Sequence, residues 1–297
     1  KKYNVRYWMI GNESWNKNNE NSTVEIYAQD IIDFSKAMKA VDPSILVIPN
    51  GDSDEFFKTV INKAGNYIDR LCVSNYGVFD FNAGYESYRD TTRCLIWPAQ
   101  TALNAMNKYA TQEQLDKWKL IVAEYGTIDW AGLWHGTNDM GHAIVNFDMT
   151  GQLLLEPQIE FSCFWNTRWL NNEEYPQTDH DAVDSNGNIN PTGYSLLIWN
   201  KFMGDKMIKS ESMGAIISYA SYSPHENRLF VYFINKGERE ENVNLIIPNK
   251  AAAKIVQCWE YFGKDDKDVA PIWQQKRVEG LEFDLKKYSI TVAEYLL

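Results

Sequence analysis

The chain has 297 residues, 44% of them hydrophobic, and a formal net charge of -11. It is long enough for one average α/β barrel, or for a smaller domain plus a β module, and apolar enough for a packed core. The acidic balance excludes nucleic acid and anionic membrane as partners, because phosphates are held by basic patches, and no run of about 18 apolar residues offers a membrane span. Aromatic residues are abundant at 14%, including 11 Trp and 17 Tyr. Much of that belongs in a core, but Trp and Tyr faces also stack on sugar rings. Cys72, Cys94, Cys163 and Cys258 show no C-x-x-C spacing, so neither a metal site nor a disulfide framework is indicated, although a single bridge stays open. Cys72 and Cys163 lie in apolar runs that suit buried free thiols. The chain opens Lys1-Lys2 without a signal-peptide apolar region, which reads as a processed or truncated start.

In chain order, Val5 to Ile10 is a short apolar and aromatic strand that stops at Gly11, and Asn12 and Glu13 follow the turn. After a polar loop containing Trp15, Ser22-Thr-Val-Glu25 reads as a capping box. It opens a helix to about Val41, with Ile26, Ile31, Phe34, Ala37 and Met38 as its apolar stripe. Ile45 to Ile48 is the next strand, with Pro49-Asn50-Gly51-Asp52 as its loop, and a helix runs from about Asp54 to Lys63. Leu71 to Ser74 is a third strand ending in Asn75-Tyr76-Gly77. The long loop from Val78 to Asp90 carries Phe79, Phe81, Tyr85 and Tyr88 and is a candidate substrate wall.

A helical region from about Thr92 to Tyr109 leads to a fourth strand, Leu120 to Ala123, followed at once by Glu124-Tyr125-Gly126. The loop behind it holds Trp130, Trp134 and His135, and a helix runs from His142 to Leu155. Ile159 to Phe164 is a fifth strand, leading to Trp165 and Trp169. The polar run with Asp179, His180 and Asp181 reads as a solvated loop in preference to a metal site. The last helix starts at Pro191 and ends near Phe202. From about Met207 the texture changes to short alternating strands, Ile216 to Tyr222, Arg228 to Asn235, Asn242 to Ile247, Lys254 to Tyr261 and Ser289 to Leu297, a β-sandwich pattern. The expected organisation is α/β: residues 1–206 as a (β/α) barrel domain and 207–297 as an antiparallel β-sandwich.

Two of these strands deliver a glutamate at their C-terminal end, which is where parallel α/β barrels build active sites. A single Glu after a strand is usually a cap or a solvated loop residue. Two such residues, flanked by aromatics and with Asn12 before the first, point to the carboxylate pair of a glycoside hydrolase. Trp8-x-Ile10-Gly11-Asn12-Glu13 and Ala123-Glu124-Tyr125-Gly126 together resemble the acid/base and nucleophile strands of the retaining glycosidases built on (β/α)8 barrels. Within that clan the likeness is to the arabinofuranosidase and endoglucanase group, glycoside hydrolase family 51.

The resemblance implies Glu13 as acid/base and Glu124 as nucleophile, Asn12 on the sugar 2-hydroxyl, and no cofactor or metal. Tyr76 is placed to hydrogen-bond Glu124, with a core tyrosine as the equal alternative. Trp165 is the expected platform under the sugar, and Trp15, Trp130, Trp134 and Trp169 are weaker stacking candidates. It also implies a chain that starts at barrel strand four, so a barrel incomplete at its N-terminus, with the missing segment as a partner and two exposed sheet edges. The several tryptophans favour an endo-acting β-glycanase on a poly- or oligosaccharide. The alternatives are an α-L-arabinofuranosidase and, in another class, a non-catalytic sugar-binding remnant. An extracellular or periplasmic location follows only from that substrate class.

Overall fold

The computed structural model describes residues 3–16, 23–77, 84–91, 94–127, 138–168, 181–248 and 253–297. Their elements in chain order are β1 (Tyr7–Ile10), α1 (Val24–Val41), β2 (Leu46–Pro49), α2 (Asp54–Ala64), β3 (Leu71–Asn75), α3 (Glu86–Arg89), α4 (Trp97–Tyr109), α5 (Gln112–Leu115), β4 (Leu120–Tyr125), α6 (Met140–Leu154), β5 (Ile159–Phe164) and α7 (Pro191–Phe202). Strands β6 (Lys206–Ile208), β7 (Ile216–Ser223), β8 (Arg228–Asn235), β9 (Glu241–Asn244), β10 (Lys254–Phe262), β11 (Ile272–Gln275), β12 (Glu282–Leu285) and β13 (Ser289–Leu296) follow. By contacts the chain forms two units that interleave along the sequence: residues 1–77, 96–125 and 156–164 make the first, and 78–95, 126–155 and 165–297 the second.

The first unit is a set of parallel strands in sequential order. β1 pairs with β2, and β3 with β4 and β4 with β5, all parallel. A parallel bridge between Asn50 and Cys72 joins the two groups. Parallel strands are commonly covered on both faces; β2, β3 and β4 are largely buried, whereas Tyr7, Trp8 and Met9 of β1 and Glu160, Phe161 and Cys163 of β5 are exposed. On one face Ile48, Cys72 and Ile121, from three adjacent strands, form a buried cluster. The helices cover the chain's other apolar positions: α1 packs on α2, α2 on α4, and α4 on β3. Among the described residues β1 pairs only with β2 and β5 only with β4. The first and last strands nevertheless meet, because the Tyr7 ring stands edge-on to Phe161 at 5.2 Å and its hydroxyl donates to Glu160 at 2.7 Å.

In the second unit six antiparallel strands lie in the order β11-β10-β13-β8-β7-β6, and β9 pairs with β12 in a second sheet. Phe233, Cys258, Phe283, Leu285, Ala293 and Tyr295 belong to one buried core drawn from both sheets, as expected of a sandwich. Helix α6 is buried along almost its whole length, its polar residues His142, Asn146 and Asp148 included. Phe147 of α6 stacks on Trp199 of α7 at 4.6 Å, and Trp199 lies 4.3 Å from the Tyr232 ring of β8.

Several local expectations are corrected. The N-cap of α1 is Thr23, whose side chain accepts from the Ile26 amide; the residue at the third helical position is then Ile26, so no Glu-closed capping box forms. The buried face of α1 is Tyr27, Ala28, Ile31 and Ser35, while Ile26 and Phe34 are exposed. Tyr27 wins the inward position because its hydroxyl has two buried backbone partners. Helix α4 begins at Trp97 and not near Thr92, since Pro98 sits in its first turn and disfavours helix before it. Cys163 is exposed, not buried, and all four cysteines are free thiols. β6, β11 and β12, of 3, 4 and 4 residues, are too short to stand out in the sequence.

Phe147 is fully buried against Trp199. Phe147→Ala is expected to lower unfolding free energy by about 3–5 kcal/mol, read as a shift in the urea transition of the second unit's near-UV signal.

Candidate active site

Gly11 and Glu13 both have positive φ, 71° and 46°. For a residue with a side chain that conformation costs roughly 1–2 kcal/mol, so something must hold the turn after β1. The holding groups are buried. Asn50, 2% exposed, accepts the Ser14 amide on Oδ1 at 2.8 Å and donates from Nδ2 to the Ile10 carbonyl at 2.9 Å. Tyr27 donates its hydroxyl to the same carbonyl at 2.7 Å and accepts the Asn50 amide at 3.0 Å. Within the turn, the Asn16 amide donates to the Glu13 carbonyl at 2.8 Å.

Glu124 lies inside β4, next to its last residue, and not past the strand end as expected. The ladder with β3 slips between Val73 and Ser74, which sets Ser74 opposite Glu124. Tyr76 is the first residue after β3 and is buried. Its hydroxyl donates to Glu124 Oε2 at 2.7 Å. The backbone behind it is tied down, because the Trp97 indole donates to the Gly77 carbonyl at 3.2 Å.

Burial pushes the Glu124 carboxyl above its ordinary range; the Tyr76 hydrogen bond pulls it down, and the negative charge of Glu13 raises it again. Tyr76 is pushed far up by burial first and then by Glu124 and Glu13. The charge of Glu13 thus acts on both Tyr76 and Glu124, and these three side chains form one electrostatic group.

Of the other expected site residues, Asn12 is exposed and Trp15 half-buried in the turn that carries Glu13. Trp165 is half-buried directly after β5 and belongs to the second unit. Trp130, Trp134 and Trp169 lie outside the described residues, as do Phe79, Phe81, His135, Asp179 and His180. Tyr85 and Tyr88 do not form a substrate wall: both are buried. Tyr88 donates to the buried Asp148 carboxylate at 2.9 Å and Tyr85 to the Lys236 carbonyl at 3.0 Å. Asp181 is fully buried, not solvated, and its carbonyl accepts from Asn138, Asn190 and Thr192. His142 is packed at the start of α6 with Nδ1 2.8 Å from Asp139. Among the described residues no group of three His, Cys, Asp or Glu side chains could hold a metal ion.

Sequence reasoning missed Tyr27 and Asn50. A signal for Asn50 existed, since it stands directly after a buried strand and before Gly51, in the same kind of strand-end turn that carries Asn12 and Glu13 after β1.

The fold and this carboxylate pair define the kind of protein to compare. No protein-family model matches the chain. It is 45% identical over 47 residues to a probable alpha-L-arabinofuranosidase C of Aspergillus niger, a match covering 16% of this chain and 9% of that protein. The alpha-L-arabinofuranosidase of Thermotoga maritima in its arabinose complex superposes with TM-score 0.76 at 19% identity, over 99% of this chain and 67% of that one. A family 44 endoglucanase of Clostridium acetobutylium superposes with TM-score 0.70 at 12% identity, over 98% of this chain and 66% of that one. The chain therefore shares its mixed α/β fold with arabinofuranosidases and endoglucanases, the groups its two motifs resemble.

Because the folded-state pKa of Glu124 is raised above 4.5, its contribution to stability is fully present below about pH 4.5 and is lost as pH rises through the folded value. Glu124→Gln is expected to leave Tm unchanged at pH 4 and to raise it at pH 8; an equal effect at both would show that the carboxyl ionises without cost.

Proposed function

We propose that the chain is a retaining glycoside hydrolase acting on α-L-arabinofuranosides. The observation that carries the glycosidase reading is the group formed by Glu13, Tyr76 and Glu124, in which a buried phenol bonds one carboxyl and the charge of the second acts on both. The assigned state has Glu13 carrying the proton and Glu124 ionised, which the Tyr76 hydrogen bond favours. That is the state a retaining enzyme needs. Glu124 then attacks the anomeric carbon while Glu13 protonates the departing oxygen. A water deprotonated by Glu13 later displaces Glu124 from the glycosyl-enzyme. Asn12 is assigned to the sugar 2-hydroxyl, and Trp15 to stacking.

The choice of sugar is supported by the Aspergillus niger relative and by the Thermotoga maritima enzyme, whose superposition is closer than that of the endoglucanase. The second reading, an endo-acting β-1,4-glucanase, is favoured by the likeness to the Clostridium acetobutylium endoglucanase. In either case β1 to β5 stand for part of an eight-stranded barrel within residues 1–206. Residues 207–297 serve as a structural module without a part in the chemistry.

Hydrolysis of aryl α-L-arabinofuranosides and aryl β-cellobiosides separates the readings, with Glu124→Ala as the inactive control. Arabinofuranoside turnover is expected, and Glu13→Ala should reduce it by about 10²–10⁴-fold. Cellobioside turnover alone would favour the glucanase; affinity for oligosaccharides without any turnover would favour a binding remnant. Tyr76→Phe removes the bond that favours ionised Glu124, so the acidic limb of the kcat/KM profile should move to higher pH. An unmoved limb would remove Tyr76 from the mechanism.

A further inference from the structure

We propose that Asn50 is a positioning residue for Glu13, acting with Tyr27 to fix the direction in which the Glu13 carboxyl meets a departing oxygen. The inference rests on the glycosidase reading for its consequence in catalysis, and on geometry for the clamp itself.

Asn50 brackets the turn. One end of its amide accepts from Ser14, directly after Glu13, and the other donates to Ile10, the last residue of β1. Between those anchors lie the two positive-φ residues, Gly11 and Glu13. A carboxamide offers a donor and an acceptor on two separate atoms, so it can hold two backbone groups apart; an ionised Asp could only accept. The amide is almost entirely buried, at 2% exposure, and both its functional atoms are engaged, so Asn50 does not meet substrate itself. Tyr27 closes the arrangement from α1, joining the Asn50 amide to the Ile10 carbonyl.

Asn50 is in turn fixed to the sheet by its parallel bridge to Cys72 of β3. β3 is the strand that ends in Tyr76, the partner of Glu124. The turn bearing one carboxyl is therefore referenced, through Asn50, to the strand that orients the other. An error of about 1 Å in such a placement can cost 10²-fold in rate.

The test uses Asn50→Ala, Asn50→Asp and Tyr27→Phe in the full chain, with aryl glycosides of the sugar the wild type accepts, carrying either a 4-nitrophenyl or a 2,4-dinitrophenyl leaving group. The second group departs without protonation. Loss of Glu13 placement is expected to lower kcat/KM for the 4-nitrophenyl substrate about 10- to 100-fold, and for the dinitrophenyl substrate by several-fold less, with KM little changed. Equal losses on both substrates, or none, would overturn the assignment and leave Asn50 as packing only. Hydrogen exchange of the peptide spanning residues 11–16, followed by mass spectrometry, is the second readout. Faster exchange there in Asn50→Ala, without general loosening, is the expected result, and unchanged exchange overturns the clamp. If the wild type hydrolyses neither sugar, the glycosidase reading falls and exchange alone decides whether Asn50 fixes the turn. If Asn50→Ala does not fold, Tyr27→Phe, which loses one hydroxyl, carries both readouts.

Discussion

The hydrogen bond from Tyr76 to Glu124 is the interaction that governs the buried carboxyl of the first unit. Burial alone would leave Glu124 protonated more readily than an ordinary carboxyl. A phenol driven far above its usual pKa keeps its own proton at any working pH, so it can only donate. It stabilises the charged form of Glu124 without competing for the proton. The charge of Glu13 acts in the opposite sense to the phenol and raises Glu124.

Much of the first unit was legible in the chain because short strand-like runs announce themselves. The observed limits of β2, β3, β4 and of β5, which has no fully buried residue, differ from the sequence reading by a residue or two at most. The glutamates and Tyr76 were legible for the same reason: once the strand ends are known, the residues that follow them are known. Val5 and Arg6 fall outside β1, whose pairing begins at Tyr7, and Glu124 proved to be inside its strand. Strand ends depend on hydrogen bonds to neighbours, and sequence pattern does not carry those.

What sequence could not yield is the role of polar atoms in buried places. Tyr27 and Ile26 are adjacent and both suit an apolar face, and simple periodicity selected Ile26. The choice was made by a hydroxyl with two partners, the Ile10 carbonyl and the Asn50 amide. Tyr85 and Tyr88 were misread in the same manner. Their rings looked available for a sugar, yet their hydroxyls are committed to Lys236 and Asp148. An aromatic with a polar tip is placed by the partner of that tip, and the partner lies far away in sequence.

Asp148 shows the same logic in the second unit. Its carboxyl is fully buried, and desolvation raises its pKa, yet Tyr88, Tyr219 and Gln152 all donate to it. Lys236, itself buried, donates to the carbonyls of Tyr88 and Thr91 and lies 4.9 Å from the Tyr88 ring. The cluster ties the segment around α3 to α6 and to strands β7 and β8. Both units therefore enclose a desolvated carboxylate answered by tyrosine. At Asp148 three donors leave the group little else to do. At Glu124 a single phenol is the only side-chain donor among the described residues that bonds it, and the other nearby charge is that of Glu13. The contrast is one of acceptor capacity: three side chains donate to Asp148, whereas one donates to Glu124, whose remaining lone pairs are not taken by side chains among the described residues.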